Sequence, residues 1–149
     1  MTLLELNTYF KDLSLRMNDI KEFQTGSNYD IASNPSNKYP LVFFELPFAV
    51  DYPDFSKPKD TVRFSLSVFM SSKTDDIKSD VEAISFCKSI GDILLTKAVS
   101  EARHFIINAV NAVSVREFSD DAVAGYRYDI TTTIIRDACS TDVNKYFKS

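Results

Sequence analysis

The residues that most often carry chemistry are few in this chain, and they are spread apart. There is one histidine, His104. A hydrolytic triad or a histidine-based metal site needs partners for it, and nothing near it in sequence supplies them. The two cysteines, Cys87 and Cys139, lack the Cys-x-x-Cys spacing of zinc and dithiol redox sites. Cys87 lies on the apolar stripe of a predicted helix, which reads as a core thiol. A bridge between the two would need their Cα atoms within about 7 Å, and the expectation is two reduced thiols. Acidic pairs occur at Asp51/Asp54, Asp75/Asp76 and Asp120/Asp121. Such pairs serve acid–base chemistry or bind divalent ions in the right frame. Here each falls in a predicted loop without calcium-loop spacing, as solvated turn residues do. Gly26, Gly91 and Gly125 are the only glycines, too scattered for a phosphate-binding loop. No catalytic residue, cofactor or metal is expected, and the reading is a non-enzyme.

The elements around these residues set a single domain over 1–149. Composition is ordinary for a globular protein, with twelve Phe, seven Tyr and no Trp. A formal net charge of −4 disfavours nucleic acid as the primary ligand, because phosphate binding needs clustered Lys and Arg. The N-terminal segment has no basic stretch and its apolar residues are spaced rather than continuous, so no leader is expected; no apolar run approaches about 20 residues, and the expectation is a soluble protein made in the cytoplasm.

Leu3, Leu6, Phe10, Leu13 and Met17 recur at helical spacing. Thr2 and Glu5 form a capping-box pattern at the start of that helix. A polar, turn-rich loop follows over 24–38, with a short extended stretch at Tyr29 and Ile31. Tyr39–Pro47 reads as an interior strand bounded by prolines. Thr61–Met70 alternates apolar and polar, which predicts a strand with one core face and one polar face.

Ser79 and Glu82 suggest a second capping box, opening a helix to about Ala102. Val81, Ile84, Cys87, Gly91, Leu94 and Ala98 mark its stripe, widened by Phe86, Ile90 and Ile93. Gly91 in mid-helix implies close approach of a neighbouring element. A strand from about Val110 to Phe118, a turn at 119–122 ended by Gly125, and a strand from Tyr126 make a hairpin. Residues 139–149 read as a frayed tail. The predicted fold is α+β in α-β-β-α-β-β order, a mainly antiparallel sheet with the helices on one face.

The connection over 47–60 carries Phe48, Tyr52 and Phe55 among three prolines. Two readings stay open: an interface anchor built of aromatics, or a loop folding its rings back on its own core. Arg63, Arg127 and Arg136 on polar strand faces either pair with acidic loops of a neighbouring subunit, such as Asp120 and Asp121, or stand in solvent.

The order of elements, together with YPLVFFELP, TVRFSLSVFM, SDVEAISFCKSIGDILL and YRYDITTTIIRD, resembles the tail-terminator and tail-completion (head–tail neck) proteins of tailed bacteriophages. The resemblance covers Leu3 to Asp137. It implies a virion structural protein that closes a cyclic homo-oligomeric ring at the head–tail junction or tail end. Its partners would be portal, connector or tail proteins, with DNA passing through the lumen unread. The aromatic connection departs from the family pattern. The alternative expectation is a small α+β module that binds a ligand or peptide with the 47–60 loop.

Overall fold

The computed structural model describes residues 1–27, 36–72, 76–118 and 122–136, together with 145 and 147. Tyr29, Ile31, Asp75, Asp120, Asp121, Cys139 and nearly all of the expected frayed tail lie outside the described residues. The observed order is α1 (Leu3–Leu15), β1 (Glu22–Gly26), β2 (Leu41–Asp51), β3 (Lys59–Ser71), α2 (Ile77–Glu101), β4 (Phe105–Phe118) and β5 (Ala122–Ile135). The α+β class holds, with one strand more than expected. The sheet runs β1-β2-β3-β5-β4. β1 is parallel to β2, and every other pairing is antiparallel.

α1 starts as its sequence dictates. The Thr2 hydroxyl accepts from the Glu5 N–H at 3.1 Å, and the Glu5 carboxylate accepts from the Thr2 N–H at 2.6 Å. Its face of Leu6, Phe10 and Leu13 is buried. These side chains join Val42, Phe44, Val62, Phe64, Leu66 and Val68 from β2 and β3, and Leu94 and Ala98 from α2, in one core. Both helices therefore cover the same face of the sheet. A side-chain network ties the two helices together. Tyr9 donates to Glu101 at 3.1 Å, and Arg16 pairs with the same carboxylate. The bond from Arg16 pulls the Glu101 carboxyl below its ordinary range, while burial and the Glu101 contact push Tyr9 up to about 12.

α2 begins earlier than the Ser79 pattern suggests. Its N-cap is Asp76, whose carboxylate accepts from the Ser79 N–H at 3.2 Å. The expected capping box at Ser79 is thus replaced by a cap three residues upstream, and in the first turn buried Asp80 pairs with the more exposed Arg116 of β4 at 2.6 Å. The buried stripe is Ala83, Cys87, Ile90, Gly91, Leu94, Leu95 and Ala98; of the residues expected to widen it, Ile90 does, whereas Phe86 and Ile93 are exposed, as is Val81 of the expected stripe itself.

Two glycines are explained by close approach. A Cβ on Gly91 would lie 2.2 Å from the Tyr128 ring. That ring cannot swing aside, because it is buried and its hydroxyl sits 2.9 Å from both the Lys88 carbonyl and the Asp92 carboxylate. Gly91→Ala should therefore destabilise by roughly 1–3 kcal/mol through overpacking, against the roughly 1 kcal/mol that alanine gains in a free helix. A urea titration reads the difference, and a more stable Gly91→Ala protein would show that the ring yields. Gly125 does not end a turn. It lies inside β5 between Phe69 and Val115, where a Cβ would meet the Val68 carbonyl oxygen at 2.0 Å.

Candidate interaction surfaces

Half of the expected 47–60 connection is strand. β2 continues through Pro47 to Asp51, with an irregularity in its pairing to β3 between Glu45 and Ala49. Proline is tolerated at such a break in the ladder. Phe48 consequently faces the core, its ring 5.3 Å from Phe44 and 6.4 Å from Phe64. Tyr52 and Phe55 lie in the short connection that remains. They are 50% and 69% exposed, yet stacked edge-to-face at 5.3 Å.

Arg136 fixes this pair from below. Its guanidinium lies 4.3 Å from the Phe55 ring and 5.1 Å from Tyr52, a cation–π arrangement. It also donates to the Phe55 carbonyl at 3.4 Å and binds both oxygens of buried Asp60 at 2.5–3.2 Å. The Arg136 N–H donates to the Pro58 carbonyl at 2.8 Å, which closes the connection onto the end of β5. The two exposed aromatics are thus held in one geometry by contacts within the chain.

The second surface is the helix-free face of the sheet. Arg127 sits there, with Nη2 3.2 Å from Glu45 and 3.0 Å from the Ser65 hydroxyl, and Nε 3.2 Å from Asp129. Ser65 in turn donates to Asp129 at 2.6 Å. Arg63, more exposed, pairs with Asp51 at 3.0 Å. Glu45, Arg63, Ser65, Asn111, Arg127 and Asp129 border a shallow depression of about 450 Å³. At one end the same face carries a small apolar cluster of Leu41, Phe43, Phe69 and Val123, so it is less polar than the alternation of β3 suggests. All three arginines therefore have partners within the chain. The Arg127–Asp129 pair is local to β5, whereas Glu45, Asp51 and Asp60 belong to other strands and could not be matched to their arginines from the sequence.

His104 is exposed beside α1, and Cys87 is fully buried. Burial pushes the Cys87 thiol up to about 12, which leaves it protonated and a poor nucleophile at neutral pH. Among the described residues no group of three or more His, Cys, Asp or Glu is placed to hold a metal ion. Among them, too, no helix is long and apolar enough to cross a membrane. The chain matches no protein-family model and none of the curated proteins with which it was compared.

Proposed function

We propose that the protein is a non-catalytic structural subunit of a virus particle, of the tail-terminator or head–tail neck type, which assembles as a cyclic homo-oligomer with portal, connector and tail proteins as neighbours. The observation that carries the protein-binding part is the Tyr52–Phe55 pair, exposed and yet immobilised by Arg136. Interface energy concentrates in such aromatic and arginine anchors, and fixing them beforehand removes part of the ordering cost of association. The ring and the particle rest on the resemblance in element order and strand sequence.

A closed ring joins unlike edges head to tail, so the aromatic corner of one subunit meets a different surface of the next. Mass photometry of the purified protein at high concentration should show a discrete oligomer. The double variant Tyr52→Ser/Phe55→Ser, altered only at exposed positions, should keep its melting temperature and assemble less. A strict monomer that also binds no head or tail component would sink the proposal.

The rival reading, a ligand module with this loop as a lid, has less support. The cavity beside Tyr52, bordered by Leu3, Val50, Asp60, Ile134 and Arg136, holds about 230 Å³, below the roughly 300–1,000 Å³ of small-molecule sites.

A further inference from the structure

β4 is the outermost strand of the sheet next to β5, and it is long. Its 14 residues span roughly 48 Å at about 3.4 Å per residue. β5 occupies its inner side along almost the whole length. Among the described residues no strand lies on its outer side. From Phe105 to Val115 the sequence FIINAVNAVSV has no charge, no proline and no glycine. Edge strands that must stay single are normally blunted by lysine, proline or shortness. Its one irregularity falls between Ile107 and Ala109. Side chains are also exposed on both of its faces: Ile106 and Val113 on the helix-free side, Val110 on the helix side.

We infer that β4 is a self-pairing edge, at which two copies of the chain meet β4 against β4, antiparallel, about a two-fold axis through Asn111. The occupant follows from chemistry and length. The other edge, β1, has only five residues and starts at Glu22, so it would leave most of β4 open. A second β4 has the same length and brings no like charge opposite another. The sequence around Asn111 is also complementary to its own reverse. In this register Val110 faces Ala112 and Ala109 faces Val113, and the regular pairing stops at Asn108, which sits at the irregularity with its amide on the Thr133 hydroxyl. Large side chains thus meet small ones, as cross-strand neighbours require. Asn111 meets Asn111, and two carboxamides can donate to and accept from each other. The axis keeps the helices of both copies on the same side of one continuous sheet. A two-fold contact does not close a head-to-tail ring, so this inference stands apart from the ring.

Asn111→Lys tests it. Asn111 lies opposite Asp129 in β5, so a lysine there has a carboxylate beside it within its own chain. In the pair, however, it sets two cations together on the axis. Sedimentation over a concentration series should show the unaltered protein passing from monomer to dimer, with β4 amides exchanging more slowly as the dimer fills. Asn111→Lys should stay monomeric at every concentration and melt at the same temperature as the unaltered protein when both are dilute enough to be monomers. A dimer that persists in the variant overturns the inference, as do β4 amides that exchange at one rate at every concentration. An unaltered protein that never pairs also overturns it. An oligomer with freely exchanging β4 amides would overturn this pairing alone and leave the ring standing.

Discussion

Arg136→Ala is expected to cost the fold about 3–5 kcal/mol, the usual consequence of removing one partner from a buried ion pair. Asp60 is 5% exposed, and Arg136 approaches both of its oxygens. Without the guanidinium the carboxylate stays in the sheet without its counter-charge. The same substitution removes the platform under Tyr52 and Phe55, so the connection should loosen as stability falls. Arg136→Lys should recover only part of the loss, because an ammonium cannot reproduce the planar fork. Removing both charges, as in Asp60→Asn/Arg136→Met, should be milder than Arg136→Ala alone. Urea denaturation separates the three. A loss under about 1 kcal/mol for Arg136→Ala would mean that water reaches Asp60, and the pair would then rank with exposed ones.

Phe10→Ala should fall in the same range, about 3–5 kcal/mol, by a different route. Phe10 is fully buried, and its ring centroid lies within 5.4–6.2 Å of those of Tyr9, Phe64, Phe105 and Phe44. These neighbours belong to α1, β3, β4 and β2, so one ring joins the helix to three strands. Behind it, Phe44 and Phe64 stack at 4.7 Å and nearly parallel, which leaves them little freedom to fill the space. Thermal melting should drop by roughly 6–20 °C for a domain of this size. Leu4→Ala is the control, since Leu4 is 74% exposed on the same helix. Equal effects from the two would contradict the packing of α1 described here.

What was legible in the sequence was what is local. Thr2 and Glu5 specify their cap within four residues, and the alternation of Thr61–Met70 specifies a strand with one core face. Gly91 signalled close contact, although nothing in the sequence identified Tyr128 as the contacting ring. The misses have physical reasons. β1 is five residues of no clear period, and its strand form comes from parallel pairing with β2. Pro47 argued for a strand end, but the irregular ladder after Glu45 lets β2 continue past it. Asp76 and Ser79 both make acceptable caps in isolation, and the longer helix uses the first. β4 starts at Phe105 rather than at about Val110, because pairing with β5, which nothing local in the sequence reveals, runs from Phe105 onward. Of the proposed interface residues, Phe48 packs inward and Tyr52 and Phe55 outward. Arg63 and Arg127 share the helix-free face, and Asp120 and Asp121 lie outside the described residues.

The sheet order also sets when the molecule can fold. β3 is the central strand, and its neighbour β5 comes from beyond α2 and β4, so that Lys59 pairs with Ile135 and Ser71 with Val123. A ribosome must release the chain through β5 before β3 gains its second neighbour. Until then the apolar alternation of β3 has one bare backbone edge. Contacts this distant along the chain slow folding, and the half-made sheet exposes pairing groups to other nascent chains. Heavy expression should therefore expose this protein to aggregation during synthesis, and slower translation should raise its soluble yield.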